Sequence, residues 1–236
     1  MNSMKQKRSK IIFSALFLAF LVFFVRYGFT VVTIESAEQA VQAETFDPSV
    51  YVNNIWLSTL LPSYTDNSKN LADILSKIQP DSNGIVQKES LTAITNEFGY
   101  ITIGESHVYM VKGSGLVTAV NTDTSIGTVE IQLNDYDGPI KVLLYVGTRI
   151  PSDETSVRDA GGLIKFGDFK EQTEYGKVAS EINKKVLSEV LGDANKNTWL
   201  GKTITFQGAF SIRTFNLIQI NMNEIRIVPM SIELGD

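Results

Sequence analysis

The sequence predicts an α+β fold with short helices first, then a β meander, a long helix and a second β meander. Three observations lead to this prediction. Apolar residues recur at helical spacing in residues 47–99, they alternate with polar residues in residues 127–147 and 203–227, and one long helical pattern separates the two strand-rich stretches. Short strands interrupted by glycine are typical of small curved barrels. We therefore expect two small, OB-like β units joined by the long helix.

The N-terminal segment has the charge-then-apolar order of an export signal or a membrane anchor. Four basic residues precede a run over residues 11–25 that is apolar apart from Ser14; they are Lys5, Lys7, Arg8 and Lys10. As a helix, residues 11–34 reach about 36 Å, enough to cross a hydrocarbon core of about 30 Å. We expect a cytoplasmic basic tail at residues 1–10 and an uncleaved signal anchor at residues 11–34, with the main domain outside the cytoplasm.

A short polar stalk at residues 35–45 is expected to follow the anchor. It holds the only good small-residue cleavage sequence nearby, at residues 41–43, so a cleaved signal peptide is the alternative. That sequence lies farther from the apolar run than a signal peptidase site usually does, which favours the anchor. Arg26 must then reach toward the outer headgroups.

The composition excludes several classes of function. The chain has no cysteine, which excludes disulfides, thiol catalysis and lipid attachment at a processing-site cysteine. The first 43 residues hold five basic and two acidic residues, so the exported remainder has a formal net charge of −8. An acidic domain is a poor partner for nucleic acid, and we expect no nucleic-acid partner and no cofactor.

Residues 46–168 are predicted to form three short helices followed by the first β unit. The first helix starts at Asp47-Pro48, where an N-cap acceptor precedes proline at the first helical position, and it is expected to stop at Pro62. The second and third helices have apolar faces at residues 71–78 and 91–98.

The first β unit starts near residue 106 with a long apolar stretch. Gly113 and Gly115 interrupt it, which indicates either two strands meeting at a tight turn or one strongly bent strand. Alternation of apolar and polar residues on both sides of a turn at residues 135–138 then predicts a β-hairpin over residues 127–147.

Residues 169–236 are predicted to hold the long helix and the second β unit, and the irregular stretch 148–168 connects the units. Gly192 caps the helix, whose apolar face is formed by Tyr175, Val178, Ile182, Val186 and Val190. In the second β unit, Gly208 is expected to kink a strand, and a turn or bulge near Asn223 resets the alternation.

Several blocks of the sequence resemble a bacterial family, domain of unknown function 2291, described as predicted periplasmic lipoproteins. The resemblance covers about residues 46–234 and is carried by blocks at residues 46–56, 111–122, 156–183 and 201–212. The genes of this family commonly lie among those of sugar-type ABC import systems. The resemblance therefore implies an accessory role in uptake, and it implies no reaction. Two departures are that this chain lacks the usual lipoprotein cysteine and that Glu154-Thr155 stands where the family often has Gly-Thr.

Arg158, Asp159, Gln172 and Tyr175 are the candidate residues for binding a ligand or a partner, and all four lie in the family-like block 156–183. In the functional interpretation, Arg158 clamps a carboxylate in bidentate fashion. In the structural interpretation, which we favour, Arg158 and Asp159 brace the loop before the long helix because a guanidinium satisfies several backbone carbonyls at once.

Acidic residues offer weaker candidates. Asp153, Glu154 and Asp159 could supply the paired carboxylates of a glycoside hydrolase, although acids grouped in one loop are more often simply solvated. The acidic turn at residues 134–138 faintly resembles a calcium loop but lacks its bidentate glutamate, so a hairpin turn is favoured.

The remaining candidates are one histidine and two tryptophans. His107 is the only histidine, and without cysteine it is not enough for a typical zinc site. We expect no metal site and no catalytic residue. Trp56 and Trp199 could stack on a sugar, but their apolar surroundings favour core packing.

Three hypotheses of function follow. The first is a non-catalytic, membrane-anchored extracytoplasmic accessory protein that binds the permease or the solute-binding protein of a sugar-type ABC importer. The second is a membrane-tethered hydrolase that acts on glycans or imported solutes through acids in residues 148–168. The third is a general envelope scaffold. The lack of a recognisable catalytic motif favours the first over the second.

Overall fold

The computed structural model describes residues 46–235 and, within the N-terminal apolar segment, residues 16–20, 22–24 and 26. The described N-terminal residues are helical. None of the helices in these ranges combines the length and the apolarity that crossing a membrane requires. The predicted basic tail, most of the predicted anchor and the predicted stalk lie outside the described residues, so all three stay predictions.

The strands of the main domain range from 2 to 16 residues in length. In chain order they are β1 (Lys69–Asn70), β2 (Ile85–Gln87), β3 (Tyr100–Ile101), β4 (Ser106–Asn121), β5 (Thr128–Leu133), β6 (Lys141–Tyr145), β7 (Thr203–Arg213), β8 (Gln219–Asn221) and β9 (Glu224–Leu234).

Five of these strands close into a barrel in the order β4–β5–β6–β9–β7 and back to β4. Neighbouring strands are antiparallel except β6 and β9, which are parallel. This is the strand arrangement of an OB barrel, so the predicted α+β class and OB-like form are confirmed. The short strands β1 and β3 pair with β4, and β2 pairs with β8 in a separate small sheet.

The prediction of two separate β units is wrong, because strands from both form the same barrel. β4 pairs with β7 from Ser106–Arg213 to Leu116–Thr203. Fully buried side chains follow this pairing: the Tyr109 and Phe210 rings stack with centroids 4.8 Å apart. The alternation of apolar residues defines which face of a strand is buried, but it does not define which strands are neighbours.

The apolar stretch after residue 106 forms one bent strand, which was one of the two predicted alternatives. The first part of β4 pairs with β7 and its last part pairs with β5, with an irregularity between Val117 and Ala119. Gly115 lies where both partners meet: a Cβ atom there would lie 2.2 Å from the Gln132 carbonyl oxygen. The absence of a side chain lets β5 approach at the bend.

The first helix begins as predicted but does not stop at Pro62. Helix α1 (Pro48–Ile55) is capped by Asp47, whose carboxylate accepts hydrogen bonds from the Ser49 and Val50 amides at 2.8 and 3.3 Å. A π-helical turn (Trp56–Leu60) then leads into α2 (Leu61–Asn67). The widened turn directly precedes Pro62, which lacks the N–H that a regular helix needs, so the chain continues without a break.

The predicted second and third helices are confirmed as α3 (Leu71–Lys77) and α4 (Lys88–Phe98). The predicted hairpin is confirmed as β5 and β6. The predicted break in the apolar–polar alternation near Asn223 is also confirmed. Ile220 belongs to β8, which pairs with β2 in the small sheet, whereas β9 begins at Glu224 in the barrel. Between β6 and the long helix lies α5 (Ser156–Asp159), followed by two single turns of 3₁₀ helix.

The long helix α6 (Gln172–Lys185) connects β6 to β7 and ends in a π-helical turn (Val186–Leu191) before Gly192, whose φ is 50°. Its predicted apolar face is confirmed up to Val186. Beyond that point Leu191 is buried and Val190 is only half-buried. The π turn accounts for this shift, because it inserts one extra residue into the helical repeat.

The sole histidine lies in a buried polar cluster where α4 packs on β4. Thr95 Oγ1 lies 2.6 Å from His107 Nδ1 and 2.6 Å from Tyr109 Oη, and it donates to the Leu91 carbonyl. Burial lowers the pKa of His107 below its ordinary value, and the Leu91 carbonyl opposes this shift in part. Burial also raises the pKa of Tyr109 to about 12.

We expect acid to destabilise the domain through His107. Because the folded-state pKa is lowered, the unfolded chain binds more protons below its own pKa of about 6.5. The stability that neutral His107 contributes is therefore complete above that pH and is lost as pH falls through the folded pKa. The slope cannot exceed about 1.4 kcal/mol per pH unit. Urea unfolding between pH 5 and 7.5 should show a steeper loss for the wild type than for His107→Gln; equal slopes would contradict the prediction.

Candidate functional site

A cleft of about 690 Å³ lies between the start of α6, residues 164–167 and the turn after β3. Ligand sites commonly have volumes of about 300–1,000 Å³. All four residues predicted for binding line this cleft: Arg158, Asp159, Gln172 and Tyr175. The fold brings them together because α5 ends beside the first turn of α6, so residues 13 or more positions apart in the chain share one wall.

Arg158 and Asp159 form a buried ion pair between adjacent residues. The guanidinium donates from Nε to Asp159 Oδ1 at 2.7 Å and from Nη2 to Oδ2 at 3.0 Å. Its Nη1 donates to the Tyr175 carbonyl oxygen at 3.0 Å, which ties α5 to the first turn of α6. These contacts match the favoured structural interpretation, in which Arg158 braces the junction before the long helix.

Tyr175 completes the cluster from the other side. Its ring lies 3.6 Å from the Arg158 guanidinium carbon, a cation–π arrangement. Its hydroxyl donates to Asp159 Oδ1 at 2.8 Å. Burial, and secondly the charge of Asp159, raise the pKa of Tyr175 to about 12, so the phenol stays protonated.

The Asp159 carboxylate is engaged at both oxygens. Oδ1 accepts from Arg158 and Tyr175, and Oδ2 accepts from Arg158 and from the Thr155 hydroxyl at 2.7 Å. The carboxylate thus accepts four hydrogen bonds from three side chains. The cluster therefore fixes the shape of the cleft and leaves no unengaged carboxylate oxygen at Asp159.

Two aromatic residues of the cleft were not among the predicted site residues. Tyr100 and Phe166 are 43% and 46% exposed and line the cleft together with Tyr175. Phe166 meets Tyr175 edge-to-face, with centroids 5.6 Å apart. Gly162, with φ 63°, packs against the Tyr100 ring. The sequence offered one signal, since Phe166 lies in the block that carries the family resemblance; nothing marked Tyr100.

The three acids considered for hydrolysis do not converge on one site. Asp153 and Glu154 line a separate cavity of about 490 Å³, where Asp153 pairs with Arg213 at 2.7 Å. The hydrogen bond from Arg213 lowers the pKa of Asp153. Glu154 accepts from the Ser156 amide at 2.9 Å, and burial raises its pKa. Asp159 lines the other cleft.

The other candidate sites have structural roles in the described part of the chain. Residues 134–138 form the turn between β5 and β6, in which Tyr136 Oη accepts from the Ile140 amide. Trp56 and Trp199 are 1% and 4% exposed, too buried to stack on a ligand. Among the residues that the structure describes, no group of three or more histidine and acidic side chains could hold a metal ion.

Comparison with known proteins gives one family and one fold. The family model described as "Predicted periplasmic lipoprotein (DUF2291)" matches residues 18–233. No curated protein matches the chain. A crystal structure of an OB-fold protein from Thermotoga maritima superimposes with a TM-score of 0.60 at 18% identity, covering 81% of this chain and 100% of that chain. At that identity the likeness supports the OB fold alone.

Proposed function

This chain belongs to the predicted periplasmic lipoprotein family, domain of unknown function 2291, and on that premise we propose that it is a non-catalytic accessory protein of a sugar-type ABC importer, held at the outer face of the membrane. Membership of this family implies an extracytoplasmic, membrane-associated location. The importer, the absence of catalysis and the means of anchoring are parts of the proposal.

The observation that carries the proposal is the state of the cleft. Its buried acid and base hold one another, with Asp159 engaged by Arg158, Tyr175 and Thr155. The side chains that remain exposed in the cleft include the aromatic rings Tyr100 and Phe166. Aromatic side chains on a braced scaffold suit recognition of a partner, because they bury much apolar area with little loss of conformational freedom.

Site-specific photo-crosslinking in the native host tests this role. A photoreactive phenylalanine analogue at Phe166 should capture a permease or a solute-binding protein of an ABC importer. The same analogue at Leu57, an exposed position on the π turn after α1, is the matched control. Capture of neither component at Phe166, or equal capture from both positions, would contradict the proposal.

We expect anchoring by an uncleaved N-terminal helix, because the chain has no cysteine for lipid attachment. Mass spectrometry of the protein extracted from membranes should therefore find residues 1–10. A mature N-terminus at Glu44 in the membrane-free fraction would contradict this expectation.

A tethered hydrolase is the second proposal, favoured by a single observation. Glu154 is buried with a raised pKa, as a general acid requires, and it shares a cavity with Asp153. Turnover of glycoside substrates that is abolished in both Glu154→Gln and Asp153→Asn would support it. Turnover that persists in both variants would exclude these acids.

A further inference from the structure

Two adjacent turns at one end of the barrel expose four apolar side chains. We call this group the apolar loop patch: Ile103, Phe215, Leu217 and Ile218, which are 92%, 64%, 47% and 71% exposed. The first turn precedes Ser106, the start of β4, and the second follows Arg213, the end of β7. The turns adjoin because these two residues are paired. Grouped apolar exposure of this kind marks interaction surfaces, whereas single exposed apolar residues are ordinary.

Hydrogen bonds hold both turns in place. In the first turn, the Glu105 amide donates to the Thr102 carbonyl at 3.0 Å. In the second, the Leu217 amide donates to the Thr214 carbonyl at 3.0 Å. The Thr214 hydroxyl joins the turns by donating to the Glu105 carbonyl. The patch is therefore presented on a fixed frame, and ordering it costs little when it binds.

The charges around the patch do not suit an ionic partner. Lys88 pairs with Glu105 at 2.6 Å, and Arg213 pairs with Asp153 at 2.7 Å, so these two cations are already compensated. The exported part of the chain has a net charge of −8. The net charge therefore disfavours attraction to anionic lipid or nucleic acid as the driving force, and an apolar partner fits best.

The start of the domain lies beside the same cleft as the patch. The Tyr51 ring in α1 lies 5.4 Å from the Phe169 ring, and Phe169 lies 5.4 Å from Tyr175 in the cleft wall. Ile103 of the patch lines that cleft as well. Residues 35–46, which link the proposed anchor to α1, can span at most about 43 Å. A link of this length lets the domain touch a bilayer that holds the anchor.

We propose that the apolar loop patch inserts into the outer surface of the membrane that holds the anchor, with zwitterionic lipid as its partner. The proposal rests on the proposed anchoring for proximity to the bilayer. Insertion removes the four side chains from water, and its strength should not depend on salt or on the content of anionic lipid, because no ionic contact drives it.

Tryptophan quenching in vesicles tests this contact on the full chain. Phe215→Trp reports on the patch, and Leu200→Trp is the matched control, 59% exposed and located before the start of β7 rather than after its end. An eleven-residue strand separates the two positions by about 36 Å. Trp56 and Trp199 are buried and give both variants the same background.

In brominated phosphatidylcholine vesicles we expect the added emission at position 215 to be quenched and that at position 200 to persist. Ile103→Ser with Ile218→Ser, added to Phe215→Trp, should restore the emission.

If the protein floats with vesicles but position 215 is not quenched, or if positions 215 and 200 are quenched equally, the contact is wrong and the anchor stands. Shielding of 215 from aqueous acrylamide without bromine quenching would assign the patch to a protein instead. Failure to float with vesicles would overturn the anchor and the contact together.

Discussion

Residues 46–168 expressed alone should not fold. This fragment retains β4, β5 and β6 but lacks β7 and β9, which close the barrel on both sides. The first eleven residues of β4 would lose their antiparallel partner, and the buried rings of Phe206 and Phe210 would be missing from the core. Unpaired strand edges, and a core without the buried apolar residues of α6, β7 and β9, cannot offset the entropy of ordering the chain.

Far-UV circular dichroism and amide NMR dispersion measure this outcome directly. The matched control is the fragment 44–236, which contains every strand and should unfold in one cooperative transition. A cooperative transition in fragment 46–168 would restore the idea of two independent β units.

Arg158→Ala should lower the free energy of unfolding of fragment 44–236 by about 3 kcal/mol. The substitution leaves Asp159 buried with only Tyr175 and Thr155 as donors, and it removes the link to the Tyr175 carbonyl. For a domain of this size the loss corresponds to about 6–12 °C in Tm. Arg158→Lys should restore little of the lost stability, because lysine lacks the planar guanidinium that binds the carboxylate and stacks on the Tyr175 ring.

A paired substitution separates the buried charge from the lost contacts. In Arg158→Ala with Asp159→Ala no carboxylate is left without its cation, so this variant should be at least as stable as Arg158→Ala alone. If Arg158→Ala instead melts like the wild type and loses its crosslink to the importer, the pair is a recognition device and the bracing role is wrong.

Local features of the fold could be predicted where the determinants are neighbours in sequence. Asp47 followed by Pro48 defined the start of α1, and alternation around residues 135–138 defined the hairpin of β5 and β6. The pairing of β4 with β7 could not be predicted, since it depends on side chains far apart in the chain that fit together only after folding. The continuation of the helix past Pro62 was missed. The π turn before it changes the backbone hydrogen bonding to accommodate the proline, and no residue type marks such a change in the sequence.

The candidate site was predicted in its polar part. Arg158, Asp159 and Tyr175 do meet, although their mutual engagement could not be derived from spacing alone. Tyr100 was missed because it reaches the cleft from β3, through the tertiary fold. A charged residue is recognisable as a site candidate from its type, whereas an exposed aromatic ring looks the same in sequence as a buried one.

The pairing of β4 with β7 also has a kinetic consequence. Ser106 meets Arg213, a partner about 100 residues later in the chain. The chain emerges N-terminus first from a ribosome or a translocation channel. The longest strand of the barrel, β4, therefore stays without its partner β7 until nearly the whole chain has emerged. High contact order of this kind makes folding slow, and the exposed strand needs protection from aggregation during the delay.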